Sequence, residues 1–288
     1  MLGAGLETLC LYVLWAIKMI NAEIPILGLG TYGRTGSKGA NEILEAISIG
    51  YRHLDTAQTY NTESTVGDAV RRSGIAREKF FITTKVADYN LEKSKFLPSV
   101  ELSLDTIGLG AVDLLLIHWP SPREAVPLEH YLEALAVAQQ RGLARFIGVS
   151  NFTNSLMERA IAILGKGAVA TNQVEIHPYL QAPKLCAHAK ILGIQLTAYQ
   201  PLAQGRVAND SVLNAIAENH KTTASAISLA FLMTEGHIVI PASSKVEHLR
   251  DNFSATSVQL LPVDIARIER LERGMRVINP AMSPKWDD

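Results

Sequence analysis

The sequence has few cysteines, little charge and no long apolar run, and each shortage excludes a class of protein. Cys10 and Cys186 are the only cysteines and lie far apart. They give neither a disulfide framework nor a thiolate zinc spacing, which fits a reducing compartment, and a cytoplasmic location is expected. Charged residues make up 19% of the chain, the net charge is −1, and no block of one sign occurs. Neither nucleic acid nor a membrane surface is therefore expected as a partner. Leu9–Ile17 (LCLYVLWAI) is nine apolar residues in a row, well short of the roughly 20 that span a bilayer. Only Glu7 precedes it among charged residues, whereas a secretory leader carries Lys or Arg there.

Apolar residues are plentiful, at 48% of 288 positions, enough for one large core. Eight short β-rich runs follow one another: Ile26–Gly30, His53–Ala57, Phe80–Val86, Val112–Trp119, Phe146–Asn151, Thr171–Ile176, Ile194–Gln200 and Ile238–Ala242. Between them apolar residues recur at helical spacing, as in Ile43-Leu44-Ile47 and Leu128-Leu132-Leu135. Asn154 is placed to cap a helix over Leu156–Leu164, and Gly165 and Gly193 stand at C-cap positions. Eight β-α units with no linker predict an α/β fold, a single-domain (β/α)8 TIM barrel over residues 19–288. Residues 1–18 are then an apolar extension, expected to pack as a short helix on the bottom of the barrel, with Met19 as a second candidate start.

A competing motif is Gly28-x-Gly30-x-x-Gly33, with Asp55 following at the distance of a Rossmann acidic residue. That fingerprint requires a helix at the third glycine. Gly36 and Gly39 follow instead, and the helical pattern starts near Ala40.

Barrel chemistry sits at the C-terminal ends of the strands. The polar residues there are Asp55, with Tyr60 just beyond, then Lys85, His118-Trp119, Ser150-Asn151, Asn172-Gln173 with Glu175, Tyr199, and Ser243-Ser244-Lys245. An aspartate and a lysine in apolar strands need each other. A neighbouring ammonium would favour the Tyr60 phenolate and lower its pKa from about 10. Tyr60 would then be a general acid in a carbonyl reduction, with His118 hydrogen-bonded to the carbonyl oxygen. Hydride would come from a cofactor, and no metal is required. Each residue alone also has a plain structural role: Asp55–Lys85 as an ion pair, His118 and Tyr199 as core, Asn151 as a helix cap. A metal-dependent hydrolase using His53, Asp55 and His118, a Schiff base on Lys85 and an NADPH-binding sensor with slow turnover are the rival readings.

GYRHLDTAQTYNTESTVG (residues 50–67), Ile117-His-Trp-Pro120 and Gly148-Val-Ser-Asn-Phe152 resemble the signature motifs of the aldo-keto reductase family, over roughly residues 24–288. The resemblance implies Asp55, Tyr60, Lys85 and His118 as a catalytic tetrad. It implies Ser150, Asn151 and Gln173 as holders of the nicotinamide carboxamide, with Tyr199 stacked on the ring. Gly30, Thr31, Pro201, Leu202 and Asn252 complete the implied cofactor seat. Ile117-His-Trp-Pro-Ser-Pro122, Pro178-Tyr-Leu-Gln181 and Ser283-Pro-Lys-Trp-Asp287 are similar to the bacterial diketogluconate reductase branch. Small dicarbonyls, aldehydes and keto-sugar acids are the implied substrates of a monomeric enzyme. Three departures stand out. Ala242 replaces a lysine that meets the 2′-phosphate in that family, and His248 replaces the arginine that usually follows six positions later. Ser243, Ser244 and Lys245 would then hold the phosphate, with His248 kept in the cofactor seat, so NADPH is expected with weaker discrimination against NADH. Ala87 replaces an aromatic residue, which should widen a pocket walled by Tyr32 and Trp119. The segment Gln200–Val207 is short for a strap across the pyrophosphate.

Overall fold

The computed structural model describes residues 24–287; the expected N-terminal helix of residues 1–18 lies outside them. Eight parallel strands run in sequential order: β1 Gly28–Gly30, β2 His53–Asp55, β3 Phe81–Val86, β4 Val112–Ile117, β5 Ala144–Ser150, β6 Val169–Glu175, β7 Gln195–Tyr199 and β8 Ile238–Val239. A parallel bridge between Leu27 and Val239 links the last strand to the first. Val239 N donates to Ile26 O at 2.9 Å and Gly30 N to Pro241 O at 3.0 Å across the same seam. This is the expected (β/α)8 barrel, and the strand order excludes a doubly wound Rossmann sheet. The helix start does not exclude it: α1 (Gly36–Ile49) begins four residues before Ala40.

The surrounding helices are α2 (Glu63–Ser73), α3 (Lys93–Ile107), α4 (Leu128–Gln140), α5 (Asn154–Leu164), α6 (Pro183–Leu192), α7 (Ser211–His220), α8 (Ala224–Thr234), α9 (Val246–Ser254) and α10 (Pro262–Glu269). Alternation along each strand sets the layers. In β3, Ile82 and Val86 join the core under the helices, while Phe81 packs with Leu114 and Leu116 inside the barrel. Lys85 shares parity with Phe81 and so points inward, above it. Gly67 lets α2 meet α3 closely, since a Cβ there would lie 1.8 Å from Ile107 O.

Two local expectations need correction. β8 stops at Val239 rather than Ala242, because Pro241 has no N–H for a ladder. The cap of α5 is Thr153, whose hydroxyl accepts from Leu156 N; Asn154 is the first helical residue. Gly165 and Gly193 do end their helices.

The C-terminal tail returns over the strand ends. Met275 N donates to Tyr179 O at 2.9 Å, and Asn154 N donates to Asp287 Oδ2 at 2.6 Å. The buried Glu175 carboxylate at the end of β6 accepts from Val277 N at 2.6 Å and Ile278 N at 2.8 Å.

Candidate active site

A cavity of about 1110 Å³ opens at the C-terminal ends of the strands. Asp55, Tyr60, His118 and Trp119 lie on its wall with Ser150, Asn151, Gln173 and Tyr199. The wall continues past Pro201 and Leu202 to Ala242, Ser243, His248 and Asn252.

Lys85 lies beneath this wall and is fully buried. Its ammonium donates to Asp55 Oδ1 and to Thr56 O at 2.9 Å. The other Asp55 oxygen accepts from Gln173 Nε2 at 2.8 Å. Parallel pairing of β2 with β3 sets Asp55 opposite Thr83, and Lys85, two residues further on the same face, reaches it with its long side chain. Tyr60 sits in a 3-10 turn, Gln58–Tyr60, just after β2. Lys85 Nζ is 5.0 Å from its ring centroid, and its hydroxyl is 3.4 Å from His118 Nε2.

Burial disfavours the Lys85 ammonium, but Asp55 and Tyr60 outweigh it and hold its pKa above the ordinary lysine value. Tyr60 departs from expectation. Burial pushes its phenol up, and the pull of Lys85 does not overcome that. Asp55 acts on both groups: it raises Tyr60 directly and is paired with the ammonium that would lower it. Burial and the Lys85 charge drop His118 to about 3. The site therefore holds a neutral phenol, a neutral imidazole and a charged amine at neutral pH.

A second network lies alongside. Asn151 adopts the left-handed backbone region, with φ 63°, tolerable for asparagine. Its side chain donates to His118 O at 3.0 Å and accepts from the Tyr199 hydroxyl at 2.8 Å. Asn151 thus faces the cavity and caps no helix. Ser150 Oγ donates to Gln173 O at 2.7 Å.

Other predicted residues fall elsewhere. Thr31 is fully buried behind the wall, its hydroxyl donating to Asp55 O at 2.9 Å. Ala87 is also fully buried and is not part of the wall, because the chain turns away at Asp88–Asn90. Ser244 and Lys245 stand exposed on the rim, off the wall. Gly30 and Tyr32 do line it, with Tyr32 edge-on to Tyr60 at 5.2 Å. Trp119 packs edge-on against Trp286 of the tail at 6.2 Å. His53 is tied to Thr83 at 3.1 Å and Asp55 to Lys85, so His53, Asp55 and His118 form no shared donor set. The segment after Tyr199 forms a 3-10 element, Ala203–Asn209, that borders the cavity through Gln204, Gly205 and Ala208.

Sequence reasoning missed Thr222–Ser225 at the start of α8 and Asp251, all on the wall. Thr223 carried a signal as an N-cap. The tail from Arg273, expected from the sequence among the segments that shape the pocket, reaches the wall through Ile278 and Pro280.

The aldo/keto reductase family model matches residues 26–273. The chain belongs to the aldo/keto reductase family. As a member it is an oxidoreductase acting on carbonyl groups. Methylglyoxal reductase DkgB of Escherichia coli O157:H7 is 43% identical over 265 residues, 92% of this chain and 99% of that protein. An aldo-keto reductase of Mycobacterium avium is 35% identical over 263 residues, 91% of each chain. Among solved structures, one provisionally named 2,5-diketo-D-gluconic acid reductase B superposes with TM-score 0.90 at 37% identity, covering 94% of this chain and 96% of that one. A Bombyx mori aldo-keto reductase in complex with NADP has TM-score 0.82 at 30% identity, covering 89% and 92%.

Proposed function

We propose that this enzyme reduces small dicarbonyls and keto-sugar acids, methylglyoxal and 2,5-diketo-D-gluconate among them, with NADPH, as a cytoplasmic monomer. The observation that carries the reading is the buried Asp55–Lys85 pair beneath a phenol and an imidazole that share one cavity. The likeness to DkgB and to the diketogluconate reductase structure supports the substrate class.

A nicotinamide dinucleotide fits the residues present. The cavity is long enough to reach from Tyr60 to Asn252, whose buried Oδ1 has no hydrogen-bond partner and suits an N–H of a nucleotide base. When bound, the cofactor supplies hydride to the carbonyl carbon. Tyr60 donates its phenolic proton to the carbonyl oxygen. Neutral His118 donates one ring N–H to the same oxygen and fixes its position. Lys85 stabilises the phenolate left behind, in a dry site where that charge counts for more than in water. Asp55 keeps Lys85 charged. Asn151, Gln173 and Tyr199 offer amide and aromatic surface for the nicotinamide, and Ser243 on the wall with Lys245 on the rim would meet the 2′-phosphate.

The test is a panel of aldehydes and dicarbonyls with NADPH and NADH, run on wild type and Tyr60→Phe. The variant should lose at least about 10²-fold in kcat, the contribution of a positioned general acid, and still bind cofactor. Wild-type turnover in Tyr60→Phe would remove Tyr60 from this role. Tight cofactor binding by the wild type, with no turnover of any carbonyl in the panel, would favour the sensor instead.

A further inference from the structure

The turn carrying Tyr60 is pinned on both flanks by side chains that take no part in the reaction. On one flank Thr62 Oγ1 lies 2.8 Å from Thr56 Oγ1 and 3.1 Å from Thr31 Oγ1, tying the turn to the ends of β2 and β1. On the other flank stands Gln58. Its Oε1 accepts from Ala87 N at 2.8 Å and from Asn90 Nδ2 at 2.9 Å. Its Nε2 donates to Ser99 O at 3.1 Å, Ser99 Oγ at 3.2 Å and Ser103 Oγ at 3.1 Å. Both lone pairs and both N–H groups of the amide are engaged.

The identity of the partners gives this clamp its meaning. Ala87 lies two residues beyond Lys85 on the same chain segment, and Ser99 and Ser103 lie on α3, which packs outside β3. The ordered backbone link from β2 to β3 ends with Thr56 N donating to Thr83 O at 2.8 Å. Beyond that point Gln58 joins the Tyr60 turn to the residue that follows the Lys85 strand, as Glu63 at the start of α2 is joined to Thr84 of β3 at 2.6 Å. We propose that Gln58 is a positioning residue for proton transfer: its amide keeps the Tyr60 phenol in register with Lys85 and His118. The inference rests on Tyr60 as the proton donor. It concerns alignment more than folding. Gln58 borders a second cavity of about 410 Å³, with Glu63, Asn90, Ser99 and Ser103. A space that polar and roomy admits water, which can satisfy the partners of a lost amide.

Gln58→Met keeps the length and removes every hydrogen bond. Gln58→Glu keeps an acceptor for Ala87 and Asn90 and loses the donors to α3. In Gln58→Met, kcat should fall about 10- to 100-fold, the effect of a displacement near 1 Å. The solvent isotope effect on kcat should rise as proton transfer becomes limiting. The cofactor Kd and the carbonyl KM should stay within about threefold, and Gln58→Glu should recover part of kcat. These are expected outcomes of misalignment. A kcat within twofold of wild type in folded Gln58→Met overturns the inference. So does a loss of kcat matched by an equal loss of cofactor affinity, or one with an unchanged isotope effect. Should Gln58→Met melt below the assay temperature, Asn90→Ala and Ser103→Ala carry the test. Each removes one partner, and unaltered kcat and isotope effect in both overturn it. Tyr60→Phe in parallel separates the two readings. An inactive Tyr60→Phe with an unaffected Gln58→Met refutes only the role of Gln58.

Discussion

Removing Asp55 should destabilise the barrel more than removing both members of its pair. Lys85 is fully buried and has two acceptors, Asp55 Oδ1 and Thr56 O. In Asp55→Asn the ammonium keeps the backbone oxygen and faces a neutral amide in place of its counter-charge. An uncompensated buried charge costs about 3–5 kcal/mol, whereas replacing both charges by neutral groups of similar volume is often close to neutral. Lys85→Met should cost less than Asp55→Asn, because Asp55 keeps the Gln173 amide at 2.8 Å. The double variant Asp55→Asn/Lys85→Met should recover most of the loss, giving a coupling energy of about 2–4 kcal/mol. Urea unfolding with unchanged m-values reads this directly. The pH dependence gives an independent arm. In the native protein Asp55 and Tyr60 hold the Lys85 pKa up, so the pair stabilises the fold below the ordinary lysine pKa and is lost only as pH rises through the folded value. In Asp55→Asn burial dominates and the folded pKa drops below the unfolded one. The unfolded chain then binds more protons, and the deficit against wild type shrinks from pH 7 towards 10. Additive single losses, or a deficit for Asp55→Asn below about 1 kcal/mol at pH 7, would refute the reasoning.

Acid should weaken the fold through His118, held at about 3 against an ordinary 6.5. Below pH 6.5 the unfolded chain takes up a proton that the folded imidazole refuses, so stability falls towards pH 3 by at most about 5 kcal/mol. His118→Gln should show a shallower loss between pH 7 and 4, and equal slopes would sink the idea. Glu175→Gln swaps one acceptor of the tail for a donor facing a backbone N–H. Losing such a charged hydrogen bond costs about 1.5–3 kcal/mol. Ile278 and Pro280 should then loosen, raising the carbonyl KM several-fold with cofactor affinity unchanged; an unaltered KM removes the tail from the pocket. Lys245→Met should weaken NADPH several-fold and leave NADH untouched, and an unchanged NADPH Kd means that the rim lysine does not meet the phosphate.

The barrel was legible because its information is local. Runs such as Leu114–Ile117 are apolar on both faces, as is usual for parallel strands, and the helices between them keep a 3.6-residue period. Asp55, Lys85 and His118 stood out because polar groups in such runs need a reason. Finer choices failed where neighbours compete. Thr153 and Asn154 are both fair caps, and backbone geometry decided for Thr153. Ala87 was expected in the pocket, yet it is buried off the wall, where the chain turns away. Glu175 sits about a hundred positions from the tail amides that it holds, a distance at which local pattern says nothing.

The acidity of Tyr60 shows why the site's residues were readable and their electrostatics were not. From sequence, a lysine near a phenol lowers its pKa. The structure adds two facts about the same three groups. The ammonium is already paired with Asp55, and the phenol is buried deeply enough for desolvation to exceed the remaining attraction. Both follow from where β2 and β3 place their ends, and neither follows from residue identity. The consequence is chemical. A phenol kept protonated through the neutral range is a standing proton donor for reduction. The same site run towards oxidation needs the phenolate, whose formation burial opposes. Turnover towards the carbonyl should therefore strengthen only as pH approaches the raised Tyr60 pKa, while reduction stays flat across the neutral range.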